Sequence, residues 1–204
     1  RFAELFEVMM KELEGRRDGH AAMWAYNCGL HGLTTVWIDE SGRTQRLFTS
    51  EQRKERLLRL VKTFSWATDV CYEAHTKLAD VSDYLGDWEQ AMQSYQYLVD
   101  HPEHHSGSYS LPNIYDLGHY APSDAISSQI YSRFKIASIL RDHKQQPDAA
   151  IREFQKLIHD FGVTNHRGVN TVAALDKLGA SFEFPEKAAL VWGGGPDALV
   201  AWGR

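Results

Sequence analysis

LADVSDYLGDWEQAMQSYQYLV, residues 78–99, is the stretch that decides how this chain is read. Leu78 and Val81 precede Gly86-Asp87, and Trp88, Ala91, Met92, Tyr95, Leu98 and Val99 follow at spacings of three and one, the period of an amphipathic helix. No Gly or Pro interrupts residues 51–85, so Gly86-Asp87 is the first firm punctuation, and so short a joint predicts two antiparallel helices. The second helix has to stop before His101-Pro102, because the residue ahead of proline disfavours helical backbone. A second stretch, residues 136–158, IASILRDHKQQPDAAIREFQKLI, repeats the pattern with one extra residue in the joint. Its first helix carries Ile130, Phe134, Ala137 and Leu140. Its second starts at Pro147, a good first helical residue, and continues through Ile151, Phe154, Leu157, Ile158 and Phe161 to Gly162.

The first hairpin resembles a tetratricopeptide repeat. Leu78-Ala79 stands where that motif has Leu-Gly, Gly86-Asp87-Trp88 matches its Gly-Asp-aromatic turn, Ala91 with Tyr95 gives the small-x3-aromatic pair, and Pro102 falls near its terminal proline. In the second hairpin Ile136-Ala137, Ala150 and Phe154 take the corresponding places, and AAIREFQKLIHDFG is similar to the second helix of divergent repeats in bacterial envelope assembly proteins. Packing supplies the reason: a small residue is needed where two helices approach closely, and the aromatic one turn later fills the groove beside it. The sequence departs from the motif at His75 and Arg133, where Trp is preferred, at Ser82, where Tyr is usual, and in the joint at residues 144–146, which lacks glycine. Ala91 and Ala150 lie roughly 60 positions apart instead of about 34. The resemblance implies a mainly α fold of antiparallel helical hairpins in an α-α superhelix, to which the β-prone residues 34–48 add a small N-terminal β-hairpin.

Outward from these hairpins the organisation is less regular. Phe2, Leu5, Phe6, Met9, Met10 and Leu13 share one helical face ahead of Gly15, and residues 18–33 predict a short buried helix stopped by Gly29 and Gly32. The β-prone runs 34–38 and 43–48 flank Asp39-Glu40-Ser41-Gly42, the chemistry of a hairpin turn. Thr49 or Ser50, with Gln52 behind, announces the next helix in the manner of a capping box. That helical pattern breaks near Ser65. Residues 101–124, with three prolines, two glycines and four histidines, read as an ordered insertion, and residues 170–178 as a further helix closed by Gly179. Expected divisions are therefore 1–48, an N-terminal helix and β-hairpin; 49–179, a repeat core carrying the insertion 101–124; and 180–204, a tail.

The 204 residues carry a net charge of -5, so no overall positive field gathers phosphates, and nucleic acid is excluded as a general partner. With 43% apolar and 24% charged residues the composition is that of a packed globular chain, and no apolar run is long enough for a membrane span or signal peptide. Two cysteines, Cys28 and Cys71, exclude a disulfide framework but not a single bridge, which leaves the compartment open. The opening Arg1 suggests a processed form or a piece of a longer chain, and the resemblance allows a bacterial cytoplasm or envelope.

The resemblance places Glu73, Thr76, Asp80, Asp83 and Tyr84 of the first hairpin, and Tyr131, Phe134, Ser138, Arg141 and Asp142 of the second, on a concave groove for a protein or peptide partner. Its acidic half suits Lys or Arg, its aromatic half an apolar anchor. His101, His104, His105 and His119 are the candidate metal ligands, since neutral imidazoles gathered in a loop bind zinc or copper. Glu103 and Asp116 are the local carboxylates, but the spacing matches no zinc signature, and adventitious divalent binding is the plainer reading. Cys28 with His31 has only the spacing of helical neighbours and no oxyanion element, and Gly193-Gly194-Gly195 lacks the helix and lysine of a phosphate loop. No constellation points to a catalyst or a resident cofactor. The leading expectation is a non-enzymatic adaptor; its rival, motivated by six Trp, nine Tyr and the histidines, is an enzyme or metal-binding protein whose pocket the insertion and N-terminal region would build.

Overall fold

The computed structural model describes residues 2–26, 36–38, 40–42, 44–46, 48–105, 125–161, 165–166, 169–170, 174 and 177–179. It is mainly helical. In chain order come α1 (Phe2–Gly15), α2 (Gly19–Tyr26), β1 (Val36–Ile38), β2 (Thr44–Arg46), α3 (Ser50–Thr63), α4 (Thr68–Leu85), α5 (Trp88–Asp100), a 3₁₀ turn (Pro102–His104), α6 (Ala125–Asp142), α7 (Pro147–Phe161), β3 (Asn165–His166) and β4 (Val169–Asn170). None of these helices is long and apolar enough to cross a membrane. The chain divides into two compact units, Arg1–Ala125 and Ile126–Arg204, so the division falls inside the interval 49–179 expected as one core.

In the first unit α4 packs on both α3 and α5. The hydrophobic core joins Phe6 and Met10 of α1, Met23 and Tyr26 of α2, Leu57 and Leu60 of α3 and Val70, Ala74 and Leu78 of α4, so the N-terminal helices belong to the same core as the first hairpin. Of the N-terminal face read from the sequence, Phe6 and Met10 point inward, whereas Leu5 and Met9 are exposed. β1 and β2 pair antiparallel, Trp37 opposite Gln45, with Gly42 left-handed between them at φ 76°.

Chain punctuation follows local chemistry. Thr49 caps α3, its hydroxyl accepting from the Gln52 N–H while the Gln52 side chain accepts from the Thr49 N–H. The break between α3 and α4 lies at residues 64–67, and the Phe64 ring sits where a Cβ on Gly19 would come within 3.0 Å of it. Gly86 ends α4 at φ 74°, a left-handed conformation glycine adopts without steric cost, and the Asp87 carboxylate accepts from Gln90 to cap α5.

In the second unit α6 and α7 form an antiparallel pair held by Ile130 on Leu157, by the Phe134 and Phe154 rings 5.6 Å apart, and by Arg133 to Asp160 at 2.8 Å. Their joint has no glycine, and Gln145 takes the left-handed conformation at φ 52°. The two hairpins share a burial pattern. Ala79, Ala91, Tyr95 and Leu98 are at most 1% exposed, as are Ala150, Phe154 and Leu157, and Ala137 is fully buried.

The helix expected over 170–178 is met at Ala174, which is helical, and its bounds are corrected: Asn170 pairs in β4 opposite Asn165, and residues 177–179 form a turn with Gly179 at φ 65°.

The two joints make opposite predictions. Gly86→Ala should lower stability by about 1 kcal/mol, because an L-residue is strained at positive φ while the new methyl meets Trp88 only at an ordinary 3.5 Å. Gln145→Gly should raise it by roughly 0.5 kcal/mol, the strain relieved being partly offset by glycine's greater unfolded-state entropy. Urea midpoints of the three proteins check both signs.

Candidate functional site

At the C-terminal end of α5 the chain gathers imidazoles and phenols. Tyr97 and His101 are four apart on one helix face, and the Tyr97 ring stacks on His75 of α4 at 4.0 Å and meets His101 at 4.6 Å. Pro102 opens the 3₁₀ turn, in which side chains three apart eclipse one another. His101 and His104 accordingly stack, ring centroids 4.8 Å apart and planes 6° from parallel. Glu103 bridges them: its Oε1 lies 3.4 Å from His101 Nδ1 and 3.4 Å from His104 Nε2. The other His104 nitrogen, Nδ1, lies 3.2 Å from the Tyr97 hydroxyl. Candidate ligand atoms of His101, Glu103 and His104 all fall within 4.8 Å of one another.

Burial differentiates these groups. His75, half-buried with Nδ1 3.3 Å from the Ser94 hydroxyl, has its pKa pushed down to about 4 by burial and then by the neighbouring His101. Burial pushes the Tyr97 phenol up, with Cys71 and Glu103 adding to the shift. The Glu103 carboxyl is held below the usual range, first by its own backbone N–H and then by the histidines. Cys71 is buried, its thiol donating to the Phe64 carbonyl at 3.2 Å, and burial raises its pKa, so it is a poor nucleophile.

Of the four histidines singled out by sequence, the structure brings together His101 and His104. His105 instead sets its ring edge-on to Tyr72 at 5.3 Å, and His119 lies outside the described residues, as do Cys28, His31 and Gly193–Gly195. Glu103 is the member whose importance the spacing alone did not reveal. His75 and Tyr97 were not singled out either; the i, i+4 spacing of Tyr97 and His101 was a usable signal, but His75 needs the pairing of α4 with α5.

The expected groove residues divide by hairpin. On α4, Asp80 accepts a hydrogen bond from the Tyr95 hydroxyl at 3.0 Å, Thr76 donates to the Tyr72 carbonyl, Glu73 faces Lys77 at 4.0 Å, Asp83 is half-buried, and Tyr84 is 78% exposed. On α6, Tyr131 and Phe134 pack against the Ile130–Leu157 core, Ser138 is half-buried, and Arg141 holds Asp142 through two contacts of 2.6 Å. Asp80 and Phe134 thus serve the interior of their hairpins, while Tyr84 offers its ring outward.

Comparison with protein families, characterised proteins and solved structures finds no match.

The His75 environment fixes a pH dependence. Its folded pKa lies below the unfolded value of 6.5, so the unfolded chain binds the extra proton first; the stabilisation is complete above pH 6.5 and is lost as pH falls toward 4. The loss from this group is up to about 3 kcal/mol. His75→Phe should flatten the stability profile between pH 6.5 and 4, measured by urea unfolding at each pH, and an unchanged slope would refute the assignment.

Proposed function

We propose that this chain is a non-enzymatic interaction scaffold built on divergent tetratricopeptide-like hairpins, holding a peptide or a partner domain on the first helix of a hairpin, α4 in the first unit. One observation carries the reading: two hairpins with the same sequence pattern bury the same positions, the small residue and the aromatic one turn later, at Ala91 with Tyr95 and at Ala150 with Phe154. That repetition is the packing rule by which such hairpins are built, and their first helices commonly supply a binding surface. The outward ring of Tyr84, beside the carboxylate of Asp83, suits a ligand combining a basic side chain with an apolar one.

Peptide arrays varied in Lys, Arg and aromatic content, followed by calorimetry on the best binder, test this. Saturable binding should weaken at least tenfold in Tyr84→Ala with Asp83→Asn, while Tyr84→Ala alone moves thermal stability by less than about 0.5 kcal/mol because Tyr84 contributes little to the core. Asp80 is unsuitable for this purpose, since removing it strands the Tyr95 hydroxyl. Absence of any saturable peptide, or binding indifferent to the double substitution, refutes the groove.

A further inference from the structure

We propose that His101, Glu103 and His104 form a three-ligand site for a zinc-type divalent cation at the end of α5, with Tyr97 as the residue that orients His104. Such a site would exist whether or not the hairpins hold a partner. A tetrahedral zinc ion takes imidazole nitrogen and carboxylate oxygen at about 2.0–2.2 Å, which sets neighbouring ligand atoms about 3.4 Å apart. Glu103 Oε1 lies 3.4 Å from His101 Nδ1 and 3.4 Å from His104 Nε2, with all three ligand atoms inside 4.8 Å. The atom spacing suits a three-point chelate, which forms once the two imidazoles, stacked 6° from parallel, turn to aim their nitrogens at one point.

Three further features favour a cation here. The site lies where the thirteen-residue α5 ends, and the negative end of a helix dipole attracts positive charge. Tyr97 lies 3.2 Å from the far nitrogen of His104, and its hydroxyl oxygen can accept from Nδ1–H, the outer-shell hydrogen bond that goes with a ligating Nε2. Tyr97 is itself held by stacking on His75 at 4.0 Å, so the orientation is anchored to α4 and does not depend on the turn alone. Two imidazoles and one carboxylate make a donor set matched to zinc, with harder ions such as magnesium and calcium preferring oxygen ligands. Three protein ligands leave a fourth position for water, and Glu103 is exposed enough for solvent to reach it.

The test is zinc titration of the intact, chelator-treated chain by competition with a chromophoric chelator, together with cobalt substitution read by visible absorption. One zinc per chain should bind saturably at micromolar concentration, and cobalt should give the intense bands of a tetrahedral site. Glu103→Gln, His101→Ala and His104→Ala should each weaken zinc at least tenfold, whereas His159→Ala, an exposed histidine of the second unit, should leave it unchanged. Tyr97→Phe should weaken it by roughly 10–100-fold while keeping the cobalt bands, as expected of an outer-shell partner. Glu103 is largely exposed, so its substitution leaves the fold intact and makes that arm decisive. Parental affinity in Glu103→Gln or in the His101→Ala, His104→Ala pair, or no saturable binding by the parent chain, overturns the site; parental affinity in Tyr97→Phe overturns the orienting role.

Discussion

Helix α4 has little side left over for solvent, and the first unit is arranged around that constraint. Val70, Ala74 and Leu78 enter the core shared with α1, α2 and α3, while α5 packs along the same helix and contributes buried Ala91, Tyr95 and Leu98. Helices approach this closely only where small residues leave room, which is the part played by Ala74 and Ala79 of α4 and Ala91 of α5, all fully buried. Burying a large aliphatic or aromatic side chain contributes about 1.5–3 kcal/mol, so this interdigitation outweighs every polar contact in the unit. It also determines where the histidines go: with α5 docked on α4, Tyr97 stacks on His75, and the turn at Pro102 brings His101 and His104 together beside it.

The polar contacts around that core have a different task. Arg56 and Arg59 of α3 reach Glu7 and Glu14 of α1, and Lys54 pairs with Asp87, the cap of α5. Partly exposed pairs of this kind contribute about 0–1 kcal/mol each. Their value is positional, since one basic helix face fixes the direction of α1 and also touches the start of α5. Arg56 also lies 4.0 Å over the Phe48 ring while it holds Glu7. Tyr26 is fully buried beneath this layer, and burial raises its pKa, which keeps the phenol neutral.

Legibility in the sequence followed the range of the forces involved. The Thr49–Gln52 capping box, the stop at Gly86 and the start at Pro147 were readable because each depends on residues within one turn. The 3.6-residue stripes likewise announced the buried faces of α5 and α7. At Asn170 the sequence announces the start of a helix, yet the residue pairs with Asn165 in a strand, because the end of a segment with mixed periodicity is decided by the neighbour it can pair with. On α1 the apolar stripe was wider than the surface available to cover it, so composition did not show that Phe6 is buried while Leu5 is exposed.

By itself, the sequence determined the helical character of this chain, the existence of two hairpins with a small-aromatic pair in each second helix, and the gathering of histidines after α5. These are consequences of local backbone preference and of the period at which apolar side chains recur. Tertiary structure alone decided that Asp80 binds Tyr95 instead of facing outward, that His75 lies against Tyr97, and that Glu103 joins His101 and His104 where His105 does not. Two of these arrangements depend on the rotation of α4 against α5, which packing of both helices fixes together and no single stretch encodes. The third follows from the 3₁₀ turn Pro102–His104 behind its cap His101, which places Glu103 between two imidazoles, while His105 meets Tyr72.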